Sequence, residues 1–475
     1  MDIKVLQALE KIVGGSYVLT DRGVIQDYLQ DETAETIRPK AASDVVLVKP
    51  ANTDEVSKLM RYADSNKLPV FVRGGGTGLV GGSVPTKNGI VVSLERMNKV
   101  AIDTENLMAV AEAGVTLEKL VTAAESRGLC FPLHPGDEAA QIGGLIATNA
   151  GGANAIRYGV MRNYVKGVEV VLPSGDVMTL GGKLHKDNVG YDLMQLIIGC
   201  EGTLAIVTKG ILKLYPKTEV TAILIVPFDN ISDAIGTVPK ILQSGKAPFG
   251  IEYVERDLME NTAHVLGENW PSKQGSCYLL ITVAESNRDQ LLSESVRIEE
   301  ICEKNKCLQI LFAETPRERD RIMRIRSNLY SVLKPRIADI LDITVPPANI
   351  GKLIDAVSEI AEKYSISLPV YGHAGDGNLH VHLLKDEKRG DNFIDEVTTQ
   401  VYSAGVKLEG VITGEHGIGK TRIRIVSNYV AEDELNLMRK IKNIFDPNNI
   451  LNPGVKVPMI ARDTSAVSSA LESVK

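Results

Sequence analysis

The chain has 475 residues, 44% hydrophobic and 24% charged, with a net charge of −7 and a pI near 5.7. That length suits two or three domains of ordinary globular composition, and the acidic balance argues against a nucleic-acid partner. No run approaches the eighteen or so apolar residues of a spanning helix, Met1-Asp2-Ile3-Lys4-Val5 carries no signal-peptide core, and the five scattered cysteines form no CxxC pair, so a transmembrane segment, an iron–sulfur cluster and a zinc ribbon are not expected and a cytoplasmic location is.

Residues 1 to about 40 read as helix and loop. From Val45-Val46-Leu47-Val48 the pattern turns to strands and helices, with Asn52 or Thr53 capping a helix that places Val56, Leu59, Met60 and Ala63 on one face. The strand Leu68–Val72 then runs into Arg73-Gly74-Gly75-Gly76-Thr77-Gly78-Leu79-Val80-Gly81-Gly82-Ser83. Glycine admits positive φ and lets bare N–H groups approach a ligand, and consecutive N–H groups form an anion-binding concavity, so a diphosphate is the natural guest. Gly76 to Gly81 fits G-x-G-x-x-G, but turn residues and the strand Ile90–Leu94 follow where a dinucleotide fold needs a helix, which argues against NAD.

A helix from Thr116 to Arg127, closed by Gly128, leads to a second glycine-rich segment. It contains Pro135, Gly136, Ile142, Gly143, Asn149, Gly151 and Gly152 and reads as a second loop on the same extended ligand. A hairpin about Pro173-Ser174-Gly175-Asp176 and a short helix near Tyr191–Ile198 precede a third loop, Gly199 to Thr208, with Glu201, Gly202 and Ile206. Pro216-Lys217 is the expected domain boundary. Beyond it, strands at Thr221–Val226, Gly250–Val254, Cys277–Val283, Cys307–Phe312, Leu341–Val345 and Leu368–Tyr371 are expected. Helices are expected at Ile231–Gln243, Asn287–Lys304, Glu318–Leu333, Ile350–Lys363 and Phe393–Leu408. This is an α+β arrangement, a sheet covered by helices on one face. A helix Glu432–Ile444 and a loose Ser/Ala-rich tail complete the chain.

Four of the seven histidines fall between 373 and 416. In Gly372-His373-Ala374-Gly375-Asp376-Gly377-Asn378-Leu379-His380-Val381-His382 the turn Ala374–Asn378 folds two strands together, so His373 and His380 flank it, and the two-residue period puts His380 and His382 on one face. Gly414-Glu415-His416-Gly417 adds an acid and a further imidazole. His373, His380 and Glu415 make three ligands with an open position, the pattern of a catalytic divalent metal, and His416 is free to act as a base. His382 reads as a neighbour rather than a ligand. Single histidines are more often packing residues, and His134, His185 and His264 are given no role beyond that, His134 aside from its place in a cofactor loop. Within the charge-rich helix Arg317–Tyr330, Arg326 stands beside the apolar Leu329–Leu333 turn and points inward as a carboxylate-binding group.

Taken in order, RGGGTGLVGGS, IGGLIATNAGG, GCEGTLAIVT, GHAGDGNLH and GEHGIG resemble the flavoproteins of the vanillyl-alcohol-oxidase/PCMH type, in the branch with D-lactate dehydrogenase, the FAD subunit of glycolate oxidase and D-2-hydroxyglutarate dehydrogenase. The resemblance implies a two-part FAD-binding domain at 41–216 after an N-terminal segment at 1–40. It also implies an α+β substrate cap with an antiparallel sheet at 217–425, and a segment at 426–475 that packs back on the FAD domain. It implies that the three loops bind FAD, that His373, His380 and Glu415 hold zinc, iron or manganese, that His416 is the base and that Arg326 takes the substrate carboxylate. No histidine stands in the first loop, so FAD is expected to be non-covalent. Ile340 stands where some relatives have lysine, Leu145 where some have Asn, and His382 where the hydroxyglutarate enzyme has Asn, so D-lactate is favoured, with glycolate and D-2-hydroxyglutarate as alternatives. The electron acceptor is an electron-transferring flavoprotein, an iron–sulfur subunit, a quinone or oxygen. A non-catalytic FAD electron-transfer subunit and a metal-dependent nucleotide hydrolase are the readings of other classes.

Overall fold

Short runs of β-branched residues set the first half of the fold. A computed structural model describes residues 1–459 apart from positions 246 and 387, with the backbone alone at 391; the expected loose tail lies outside the described residues. Val45–Val48, Gly89–Ser93 and Val70–Arg73 form a parallel sheet edged by the antiparallel Val18–Leu19. The crossover helix Thr53–Ser65 starts where the Asn52 side chain accepts from the Glu55 N–H, and it buries Val56, Leu59, Met60 and Ala63 against the sheet. Between Val70–Arg73 and Gly89–Ser93 there is no helix, only the glycine loop.

A second, five-stranded antiparallel sheet runs in the order Val100–Asp103, Met108–Glu112, Ile206–Lys213, Val165–Val171, Val177–Gly181. Against it lies Ile142–Thr148, a helix where the glycine-rich sequence predicts a loop. Its two glycines disfavour helix in isolation. Packing overrides that preference: a Cβ on Gly143 would sit 2.7 Å from the Ala113 Cβ, so glycine lets the helix lie flush on the sheet.

The other large unit is a seven-stranded sheet in which every neighbouring pair is antiparallel. Its order is Leu311–Ala313, Val220–Phe228, Cys277–Glu285, Gly250–Glu255, Val370–His373, Asn378–Leu384, Ile337–Thr344. Helices Ile231–Gln243, Arg288–Lys304, Ile350–Tyr364 and Asp391–Lys407 cover one face over a core that includes Leu279, Ile281, Leu341, Leu379 and Val381. Helical cover on one face only is incorrect. Arg256–Val265, Pro316–Ser327 and Leu329–Leu333 pack on part of the opposite face, against Ile223, Ile225, Tyr278 and Leu280. The single helix expected over Glu318–Leu333 is broken at Asn328, whose side-chain amide donates to the Arg324 carbonyl at 2.8 Å. The strand expected over Cys307–Phe312 shrinks to Leu311–Ala313 at the sheet edge.

Helix Glu432–Phe445 returns to the first half, where Ile441 and Phe445 join its core. The chain then adds a bridge beside the glycine-loop strand: Val70 N–H donates to the Ile450 carbonyl and Asn452 N–H to the Val70 carbonyl, each at 2.8 Å. Among the described residues no helix is long and apolar enough to cross a membrane. Leu279, fully buried in the cap sheet, tests the packing. Leu279→Ala should destabilise the cap by roughly 2–5 kcal/mol, read as an earlier unfolding transition; an unshifted transition would contradict this assignment of the core.

Candidate active site

Strand alternation builds the site. In the cap sheet Ile251, Tyr253, Val370, Leu379, Val381, Leu341 and Ile343 face the apolar core. The intervening residues Glu252, Tyr371, His373, His380, His382, Ile340 and Asp342 therefore share the other face, where Tyr371 and Ile340 also pack against the helices Pro316–Ser327 and Leu329–Leu333. Register lines them up: Glu252 pairs with His373, Tyr371 with His380, and Asp342 with His380 on its other side.

The remaining groups come from the segment Thr413–Gly419, held from two sides by buried carboxylates. On the cap side, Asp342 Oδ2 accepts from the Thr413 hydroxyl at 2.8 Å and from the N–H groups of Gly414, Glu415 and His416, each at 2.9 Å, while Asn378 donates to Oδ1 at 2.7 Å. On the other side, Glu201 accepts from the N–H of Ile418 at 3.0 Å and of Gly419 at 2.7 Å. Gly414 is required by close approach, since a Cβ there would stand 2.2 Å from Thr344 Oγ1.

His373, His380 and Glu415 converge as the sequence predicts. Their ligand atoms lie within 4.8 Å of one another, with Glu415 Oε1 3.6 Å from His373 Nε2 and 3.2 Å from His380 Nε2. Asp342, His380 and His416 also cluster, but Asp342 Oδ2 is already surrounded by N–H and O–H donors. The trio of His373, His380 and Glu415 is the one with ligand atoms to offer, and two imidazoles with a carboxylate suit zinc, iron or manganese. His416 stacks on His380 at 4.9 Å. His382 is outside the trio: its ring stacks on Tyr371 at 4.6 Å and its Nδ1 donates to the Pro369 carbonyl at 3.2 Å. Arg326 pairs through Nη2 with Glu252, and its guanidinium carbon lies 5.0 Å from the Tyr371 ring centre.

Burial opposes ionisation of the three acids, yet each is held below its ordinary range by cationic or donor neighbours. His373 and His380 do this for Glu415, His373 and Arg326 for Glu252, which falls to about 2, and His416 and His380 for Asp342. His373 is pushed down by burial but held well above its usual value by Glu252 and Glu415. Burial lowers His416, which favours the neutral imidazole, and takes His382 down to about 3.

Two cavities meet here. The first is lined by Gly74, Gly75, Gly76, Thr77, Gly78, Gly82 and Ser83, by Pro135, Gly143 and Gly151, and by Glu201, Gly202 and Ile206. At Gly82 and Gly144 an added Cβ would meet no protein atom within 4 Å, so bare backbone faces the space, as a phosphate cradle requires. The second, of about 410 Å³, lies within the range of roughly 300–1,000 Å³ for small-molecule sites. Its walls include Arg326, Tyr371, His373, His380 and His134. Thr77, Leu79, Pro135, Asp137, Glu415 and His416 line both cavities.

Several expected cofactor residues stand elsewhere. Arg73 turns its guanidinium to the carbonyls of Asp27 at 2.7 Å and Gly74 at 3.2 Å. Ile142 is core beneath the cavity. Asn149 ends the helix in the left-handed region and accepts from the Arg162 N–H. Gly152 packs on the His134 carbonyl, which a Cβ would approach to 2.0 Å. Gly136 lines the second cavity instead of the first. Glu201 lines the first cavity, but its carboxylate is committed to the loop of His416. Sequence reasoning missed Glu252, Asp342 and Asn452, which lines the first cavity while its side chain accepts from Val72 N–H and donates to the Glu201 carbonyl. Glu252 and Asp342 had a signal: each is an acid flanked on both sides by apolar residues within a strand.

Residues 45–181 match the family described as FAD binding domain, and residues 217–455 that described as FAD linked oxidases, C-terminal domain. The chain is 42% identical over 427 residues to a D-lactate dehydrogenase of Archaeoglobus fulgidus, covering 90% of this chain and 94% of that one. It is 35% identical to the glycolate oxidase subunit GlcD of Bacillus subtilis, covering 88% of this chain and 89% of that one. Among solved structures, p-cresol methylhydroxylase with substrate bound superposes with a TM-score of 0.77 at 18% identity, over 95% of this chain and 96% of that one, which shows a shared fold of the vanillyl-alcohol-oxidase/PCMH type.

The Asp342 clamp predicts how the loop responds to loss of charge. A hydrogen bond to a charged group contributes about 1.5–3 kcal/mol, so Asp342→Asn should speed amide exchange at Gly414–His416 by roughly tenfold or more while the glycine-loop amides keep their rates. Exchange unchanged at Gly414–His416 would show that the loop is held by other contacts.

Proposed function

Since the chain belongs to the FAD-linked D-2-hydroxyacid dehydrogenase family, we propose that this FAD-dependent dehydrogenase oxidises a small D-2-hydroxy acid, D-lactate first, to the 2-oxo acid and passes the electrons to a separate acceptor. The observation that carries this reading is the shared wall: Glu415 and His416 line both the glycine-walled cavity and the cavity of Arg326 and the histidines. FAD, when bound without a covalent link in the first cavity, supplies the acceptor for the hydride from C2. A zinc, iron or manganese ion, when held by His373, His380 and Glu415, supplies Lewis acidity toward the substrate oxygens.

The chain's own groups do the rest. Arg326 binds the carboxylate, with Nη2 fixed on Glu252. The neutral His416 imidazole accepts the hydroxyl proton as C2 is oxidised. Tyr371, Ile340 and Met323 give the cavity apolar walls that limit water. The two cations lining this cavity, Arg326 and Lys334, are each already paired, with Glu252 and Glu32. With Arg326 taken by the first carboxylate, a second would have to draw Lys334 from Glu32, which favours D-lactate or glycolate over D-2-hydroxyglutarate. An electron-transferring flavoprotein, an iron–sulfur subunit or a quinone is the proposed acceptor, and the name of the Bacillus relative, a subunit, favours a protein partner. The five free cysteines fit a reducing, cytoplasmic setting.

His416→Ala should lower D-lactate-dependent dye reduction by roughly 10²–10⁴-fold, the usual contribution of a positioned base, with the yellow flavin still bound. Turnover close to the parent rate would remove His416 from the mechanism.

A further inference from the structure

Glu252 lies on the strand Gly250–Glu255, and its carboxylate is divided between two groups of different purpose. Oε1 stands 2.6 Å from His373 Nδ1, and Oε2 pairs with Arg326 Nη2. The side chain is 8% exposed, and both contacts face the substrate cavity. A carboxylate only accepts, so Nδ1 keeps its proton, and Nε2, beside Glu415, is the nitrogen that gives up a proton to a metal. The same anion fixes one edge of the Arg326 guanidinium and offsets its charge, leaving the remaining N–H groups for a ligand carboxylate. One rigid strand position thus governs the orientation of two groups that come from different elements.

We propose that Glu252 is the positioning residue of this site, setting the His373 tautomer for metal binding and the Arg326 orientation for substrate binding through one shared carboxylate. The inference rests on the dehydrogenase reading and adds to it a coupling: metal affinity and the KM for the hydroxy acid answer to the same side chain. A Gln in its place breaks the arrangement chemically. Its amide has one acceptor and one donor end, so an N–H₂ must face either the Nδ1–H of His373 or the guanidinium of Arg326. Facing His373, it is satisfied only by moving the proton to Nε2, which removes the ligand lone pair.

The test uses flavin-loaded, metal-stripped full-length protein, titrated with Zn²⁺ and Mn²⁺ by calorimetry, and the reconstituted protein assayed for the KM of D-lactate. Glu252→Gln should weaken metal binding by roughly 10–100-fold, as loss of an outer partner of a ligating histidine does, and should raise the KM severalfold. Glu252→Asp, which keeps the charge but is one methylene shorter, should recover part of both and stands in should the Gln variant lose its flavin. If the parent protein neither binds metal nor oxidises a hydroxy acid, the dehydrogenase reading fails. If the parent does both and the folded variants match it within about twofold on both measures, or change only one of them, the coupling through Glu252 is overturned. A merely structural role would lower the thermal midpoint and leave both constants in place.

Discussion

Two buried carboxylates gripping one loop from opposite sides decide where the chemistry can occur. Asp342, on the cap sheet, gathers the hydroxyl and three N–H groups of Thr413–His416; Glu201, at the entry to a strand of the cofactor-side sheet, takes the N–H groups of Ile418 and Gly419. Neither acid need touch a ligand. Their effect is to suspend Glu415 and His416 between two units with separate cores, so that side chains whose own N–H groups are held by Asp342 face both cavities. Each anion is stable in a buried place because donors surround it, and a buried charge without such partners would cost several kcal/mol.

The cap sheet carries a second economy of design. One face of its central strands is continuous apolar core, while the other presents Glu252, Asp342, His373, His380 and His382 beside Tyr371 and Ile340. The helices that cover part of that second face stop short of the histidines, and Arg326 reaches in from one of them near its end. The rigid pairing Glu252–His373, Tyr371–His380 and Asp342–His380 means that the relative heights of these groups are fixed by hydrogen-bond register rather than by flexible loops. That rigidity suits the proposed binding of a small carboxylate in one orientation.

Much of this was legible in the chain itself. The glycine-rich loop between two strands, the helix capped by Asn52, and the turn that folds His373 toward His380 follow from local chemistry: positive φ, capping and the two-residue strand period. The convergence of Glu415 on those histidines could only be expected from its glycine-flanked setting, because 42 residues of chain order separate Glu415 from His373 and nothing local fixes their distance. What the pattern hid was of another kind. Ile142–Thr148 is helical through packing on Ala113 and not through propensity. The roles of Glu252, Asp342 and Glu201 depend on which partners the fold delivers to them, although an acid between apolar neighbours in a strand, as at Glu252 and Asp342, is a visible mark. Arg73 and Asn149 look like ligand donors in sequence but are consumed by their own backbone surroundings.

The central proposal is electron transfer from a substrate in the cap cavity to a flavin in the glycine-walled cavity, across the wall they share. Anaerobic mixing of the purified, flavin-loaded protein with D-lactate, with no acceptor present, measures that transfer directly in a single turnover. The oxidised flavin band is predicted to bleach in proportion to the lactate added, with pyruvate formed in equal amount, and D-lactate acting where L-lactate does not. A flavin that keeps its oxidised spectrum with D-lactate and glycolate alike, in protein replete with metal, would contradict it.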